Sequence, residues 1–292
     1  MTFLEAHLIC GTLVLLDQVA RALRVRLLSG ALGHPVSLTD AVITNTIGDA
    51  ACALTPMRIA GEPVRLASLL RAGMPATASF LLIAFEVVTM WPVIIGCGVL
   101  VGIWFAPEWL RGTAPLVLAG LARTWGWVVA VGVVSLVAWL VARRWVNITP
   151  RLTRRPWQRA RVYGRRMPVG ALLGSAFLGF LNLASRTAIL PVLLATLPEP
   201  PPLGPSILGS FALLYSQLAL PTPAGAGAVD LGLLAGAAGD TGTSGLEMLI
   251  WWRFYTTFIG VLAGGWVAAR VFGWDVLRTR FKGNGKGKEA GT

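Results

Sequence analysis

The sequence predicts an all-α polytopic membrane protein, with about five spanning helices plus two re-entrant hairpins arranged as an inverted-topology repeat. Three observations carry that reading. Of the 292 residues, 55% are hydrophobic and only 13% charged. With about half the charge of a soluble domain (roughly 25%), the chain cannot clothe its surface in polar groups. Residues 81–106 hold one charged residue, Glu86, and residues 113–142 hold only Arg123, whereas about 20 apolar residues suffice to cross a bilayer. The net charge of +12 gathers at the flanks of apolar runs, with nine arginines in residues 143–166 and Arg270, Arg278, Arg280, Lys282, Lys286 and Lys288 after Ala269. That is the positive-inside pattern. It argues against the nucleic-acid partner that a basic soluble chain would suggest.

The first span covers residues 3–28 and ends on Arg21, Arg24 and Arg26, followed by a short loop with Gly33, His34 and Pro35. Residues 40–73 are apolar up to Leu54, break at Thr55-Pro56 and resume with Arg58, Glu62, Arg65 and Arg71, so neither half is long enough to cross alone. Span two covers 74–105, with Pro92 expected to kink it. After a neutral loop at 106–113, span three runs to 142 and the arginine-rich loop follows. Span four covers 169–197 and ends at the proline-rich turn 199–202. Residues 203–239 form a second interrupted stretch, broken at Pro221-Thr222-Pro223 and followed by a Gly/Ala run holding Asp230. Span five covers 246–272, and the Gly/Lys-rich residues 282–292 read as a disordered basic tail.

Charge placement closes the topology only if each interrupted stretch enters and leaves on one face. The arginine-rich loop and the C-terminus are then cytoplasmic, and the N-terminus and residues 199–202 lie outside. One membrane-embedded domain covers 1–281: half one at 3–105, a linking span at 113–142, and half two at 167–272 in opposite orientation. Paired interrupted segments in two inverted halves point to a transport site near the midplane. Non-helical backbone at that depth must line a cavity or be buried in protein.

Charged side chains inside spans cost about 2.5–3.5 kcal/mol on insertion scales, so each needs a reason. The candidates are Asp49, Arg58, Glu62, Arg65, Glu86, Arg123, Arg186, Asp230, Glu247 and Arg253. Arg58, Arg65 and Arg71 have a plain alternative in snorkelling to the cytoplasmic face. Glu247 has one at the outer interface, and structural salt bridges are another. The Gly/Ala run from Pro223 through Gly225 and Gly227 to Asp230 lacks the Gly-Lys-Ser/Thr of a nucleotide loop. Its glycines would let backbone amides approach a phosphate, or simply let the hairpin pack closely. The substrate-binding set is therefore Arg58, Glu62, Arg65, Glu86, Pro223, Gly225, Gly227, Asp230 and Arg253. Cys10, Cys52 and Cys97 with His7 and His34 form no metal or disulfide pattern. No cofactor and no enzymatic constellation are expected.

The run Pro56-Met-Arg58-Ile-Ala-Gly61-Glu62-Pro-Val-Arg65 and the run Leu220-Pro-Thr-Pro-Ala-Gly225-Ala-Gly227-Ala-Val-Asp230 resemble paired elements of the lysylphosphatidylglycerol synthase transmembrane region, the flippase-like domain. Phe85-Glu86, Trp252-Arg253-Phe-Tyr-Thr and Arg21-Ala-Leu-Arg24-Val-Arg26 resemble further elements in the same order. The resemblance covers most of residues 16–265. It implies movement of a phospholipid or lipid-linked headgroup across the bacterial inner membrane. Aminoacyl-phosphatidylglycerol is the best-known cargo of the family, and relatives are linked to polyprenyl phosphates. Ala224 stands where the family's first glycine is usual, and Asp230 stands for a glutamate. The family's usual first span before the Arg-rich element and its soluble aminoacyl-transferase domain are not seen. The leading expectation is a lipid flippase; a transporter of a small anionic solute or polyprenyl phosphate, and a non-transporting scaffold, are the alternatives. Anionic headgroups at the basic loop are expected partners, and a homo-oligomer is left open.

Overall fold

The computed structural model describes residues 1–55, 58–104, 167–217, 227, 230 and 243–273. Among them every regular element is helical: α1 (Phe3–Ala31), α2 (Leu38–Leu54), α3 (Gly61–Arg71), α4 (Ala76–Trp104), α5 (Val169–Leu194), α6 (Leu203–Ser216), α7 (Thr243–Arg253), a π-helical turn at Phe254–Phe258, and α8 (Ile259–Phe272). Four helices are long and apolar enough to cross a membrane: α1, α4, α5, and the continuous rod Gly245–Val271 formed by α7, the π turn and α8. They match expected spans one, two, four and five. Pro56, span three, the arginine-rich loop, Pro223, Gly225 and the tail lie outside the described residues.

Local chemistry sets several boundaries. Thr2 and Glu5 form a capping box at the start of α1: the Thr2 hydroxyl accepts from the Glu5 amide, and the Glu5 carboxylate accepts from the Thr2 amide. Ser37 caps α2 by accepting from the Asp40 amide at 3.0 Å. Gly73, at φ +86°, turns the chain from α3 into α4 in a left-handed conformation that a side chain would strain. The expected kink site Pro92 lies within a helix that continues to Trp104.

The α2–α3 pair is a helical hairpin. At about 1.5 Å per residue, α3 is far too short to cross a hydrocarbon core of about 30 Å. Its two arms meet closely: a Cβ on Gly61 would collide with the Cys52 sulfur, one on Gly48 would collide with the Arg65 stem, and the Thr44 and Ser68 hydroxyls share a hydrogen bond of 2.9 Å.

α1 and α5 form the spine. Contacts between them step in opposite directions: Leu27 meets Gly174, Arg24 meets Ser175, Asp17 meets Asn182 and Arg186, and Cys10 meets Ile189. The two helices are therefore antiparallel. α5 is the most enclosed span, with 56% of its apolar window buried against 6% for Gly245–Val271. The first helix of each interrupted stretch packs on the far half's last span: α2 packs on α8, and the Phe211 ring of α6 lies against Gly98 of α4. One apolar cluster, around Val25, Leu28, Leu69, Leu82 and Met167, closes one end of the spine. Another, around Cys10, Ile189, Leu193, Met248 and Trp252, closes the other. Between these two apolar ends the spine is polar.

Candidate functional site

The polar layer begins on α1, where Asp17, Arg21 and Arg24 sit at i, i+4 and i+7 and so share one helical face. That face turns inward. Arg21 binds Asp49 of α2 through both terminal nitrogens, at 2.7 and 2.6 Å, and also pairs with Asp17 at 3.0 Å. Asp17 accepts from Asn182 and from Arg186 of α5, the latter at 3.3 Å. Arg186 lies 4.0 Å from Asp49, which closes a four-member ring of two carboxylates and two guanidinium groups across α1, α2 and α5. Alternating charges suit this depth, because an unpaired ion there would bear its full desolvation cost.

A second cluster sits alongside. The Arg65 stem crosses Gly48 and its guanidinium reaches Glu86 on α4, Glu62 one turn back at 3.2 Å, and the Asn45 side-chain oxygen at 3.4 Å. Glu86 is buried, whereas Glu62 is half exposed and stands at the rim. Arg24 differs from its neighbours. It is 6% exposed, yet among the described residues it donates only to neutral acceptors: the Ser175 hydroxyl at 2.9 Å, the Thr89 hydroxyl at 2.9 Å, the Glu86 backbone carbonyl, and the Met90 sulfur at 3.7 Å. Arg58 occupies the turn between α2 and α3 at φ +58°, a left-handed conformation costing an L-residue about 1–2 kcal/mol. Its guanidinium makes no ion pair with the described residues.

These groups surround a cavity of about 400 Å³, within the range of about 300–1,000 Å³ usual for ligand sites. Its charged lining consists of Arg21, Arg24, Arg58, Arg65 and Arg186 with Asp49, Glu62 and Glu86. Val87, Met90, Ile94 and Leu214 supply an apolar wall. Three buried donors on this lining, Arg21 Nε, Asn45 Nδ2 and Arg65 Nε, lack an acceptor among the described residues.

Of the expected site residues, Arg58, Glu62, Arg65 and Glu86 therefore meet in one cavity. Asp230 and Arg253 form a separate pair at 2.6 Å and are absent from that lining. Asp230 also accepts from the Gly227 amide at 3.0 Å, and Gly227 itself sits at φ +86°. Arg253 stacks 5.2 Å from the Trp252 ring and immediately precedes the π turn, whose Thr256 borders the cavity. Pro223 and Gly225 lie outside the described residues.

Sequence reasoning missed Arg21 and Arg24. They were read as the basic cytoplasmic end of span one, but the structure buries both inside the protein, because α1 continues to Ala31 and their face packs on α2 and α5. The i, i+4, i+7 stripe with Asp17 was the available signal. Arg186, considered only for a structural pairing, joins the ring described above.

The family model described as "Lysylphosphatidylglycerol synthase TM region" matches residues 3–264. The chain belongs to this family. The match takes in α1 to α7, the π turn and the start of α8, and so includes every charged group around the cavity. No curated protein and no solved structure matches the chain significantly. Membership agrees with the all-helical multi-pass architecture. Chemically, the cavity can hold a charged group at membrane depth. Among the described residues no cluster of three His, Cys, Asp or Glu is arranged to hold a metal ion.

Proposed function

We propose that this membrane protein is a lipid flippase, carrying a phosphate-bearing headgroup through the charged cavity while the acyl chains stay in the bilayer. The observation that carries this is the cavity itself. Its guanidinium and carboxylate groups stand at the depth where insertion is costly, and such groups mark transport pathways by default. Family membership supports a lipid-related role. A scaffold would have no use for a cavity of about 400 Å³ with unsatisfied donors on its wall.

The antiparallel α1 and α5, and the exchanged packing of α2 on α8 and α6 on α4, support the inverted-repeat reading. So do the two ion pairs joining an interrupted stretch to the span after it, Arg65 to Glu86 and Asp230 to Arg253 with the charges reversed. On this reading residues 1–281 form one domain in the bacterial inner membrane with a cytoplasmic C-terminus, and the arginine-rich loop rests on anionic headgroups.

Reconstitution into liposomes tests the function. With a tail-labelled fluorescent phospholipid, a membrane-impermeant quencher should reach the inner-leaflet fraction only when the protein is present. Quenching that stops at the outer leaflet with every headgroup tried would overturn the flippase reading.

A further inference from the structure

We infer that this cavity takes a headgroup of net negative charge, a phosphomonoester, in preference to an amine-bearing one, with Arg24 and Arg58, which both line it, as its cationic contacts. The inference rests on the reading of the cavity as a headgroup path.

Every carboxylate of the described lining is already engaged. Asp49 is held by Arg21, and Glu62 and Glu86 are both held by Arg65. An incoming ammonium group would have to break one of these pairs. Two of the five guanidinium groups are in the opposite position. Among the described residues Arg24 has no carboxylate within ion-pair distance despite being buried, and one of its terminal nitrogens meets only the Met90 sulfur at 3.7 Å, a weak acceptor. Arg58 also has no carboxylate partner among the described residues, and its turn is strained by a positive φ at a non-glycine residue. Strain of this kind persists where the surrounding structure demands it, which occurs chiefly at ligand sites.

Charge balance agrees. The described lining carries five arginines and three carboxylates, an excess of two positive charges. Counting Asp17, which pairs with Arg21 and Arg186 from behind, still leaves an excess of one. Arginine does not deprotonate in proteins, so this excess on the described lining favours an anion. A phosphomonoester carries about −1.5 to −2 at neutral pH and offers three acceptor oxygens. Its geometry suits guanidinium forks. The unsatisfied Asn45 Nδ2 and Arg65 Nε supply further neutral and charged donors on the same wall. This chemistry is shared by a lipid phosphate and by free inorganic phosphate.

The test is binding to the full chain in phosphatidylcholine nanodiscs, read by native mass spectrometry and by titration. The probes are short-chain phosphatidic acid, short-chain phosphatidylethanolamine, lysyl-phosphatidylglycerol and inorganic phosphate. Phosphatidic acid should bind tightest, and Arg58→Gln should weaken it by at least about tenfold, as expected when one partner of a desolvated charge pair is lost. Arg24→Gln should do the same, with Arg24→Lys intermediate. Because Arg24 also joins three helices, Arg58→Gln at the half-exposed turn decides the matter if Arg24 variants fail to fold. Lysyl-phosphatidylglycerol binding as tightly as phosphatidic acid, or Arg58→Gln leaving binding unchanged, overturns the anion site while the flippase reading stands. Inorganic phosphate binding as tightly as the lipid supports the anion site and overturns the lipid as its source. Failure of all four probes overturns both.

Discussion

Arg21 of α1 grips Asp49 of α2 with both terminal nitrogens, at 2.7 and 2.6 Å, and both side chains are largely buried. This fork ties the first interrupted stretch to the spine. Asp49→Asn should lower stability by about 3–5 kcal/mol, because it leaves Arg21 and Arg186 with Asp17 as their one carboxylate partner among the described residues, in a low-dielectric interior. Replacing both partners with apolar residues, Arg21→Met with Asp49→Leu, should recover much of that loss without restoring transport. Thermal unfolding in detergent alongside the liposome assay checks this. A double variant as unstable as the single one would show that the fork is not the source of the effect.

The Asp230–Arg253 pair should behave differently. Gly227 and Arg253 donate to different oxygens of Asp230, so asparagine keeps an acceptor for one of them and drops the charge. Asp230→Asn should therefore abolish transport while leaving folding mostly intact. Loss of the folded protein would mark the pair as structural, and unchanged transport would remove Asp230 from the site.

Helix contact makes a paired prediction at neighbouring glycines. A Cβ on Gly264 would collide with the Thr46 carbonyl and the Ala50 methyl, whereas one on Gly265 meets nothing within 4 Å. Gly264→Ala should destabilise by about 1–3 kcal/mol as α8 is pushed off α2. Gly265→Ala should be neutral, or stabilising by up to about 1 kcal/mol through helix propensity. The unfolding midpoint should fall for Gly264→Ala and hold or rise for Gly265→Ala; equal shifts would count against the α2–α8 contact.

Arg58→Gly separates stability from function. Glycine adopts the φ of +58° without strain, so folding should be unchanged or improved by up to about 1 kcal/mol, since relieved strain competes with a more flexible unfolded chain. Transport should fall at the same time, the usual exchange at a strained site. A marked loss of stability would instead assign Arg58 a structural role.

Topology is checked by labelling single cysteines. A cysteine at Pro201 should react only with reagent added from outside, and one in the C-terminal tail only from the cytoplasm. The reverse pattern at Pro201 would overturn the orientation.

Much of the cavity was legible from residue type alone. Arg58, Glu62, Arg65 and Glu86 stand out in apolar sequence, because each charge there carries a penalty that only a partner, water or a ligand can offset. Arg21 and Arg24 did not stand out, since arginines after an apolar run also mark a cytoplasmic boundary. Local sequence does not say where a helix stops relative to the membrane. Glu62 has the same composition signal as Glu86, yet it stands half exposed at the rim, beside the buried Gly61.

By itself, the sequence determined the all-helical membrane class, the four described spans to within a few residues, and the break near Thr55 that makes the first hairpin. These follow from hydrophobicity, helix length and chain-breaking residues, all of them local properties. Only the tertiary structure decided that α1 runs antiparallel to α5, that Asp17, Arg21, Asp49 and Arg186 close one ring, and that Arg24 is left among neutral acceptors. Those outcomes depend on which faces meet across more than a hundred residues of chain. Packing selects what each buried charge meets, a carboxylate for Arg21 and neutral acceptors for Arg24.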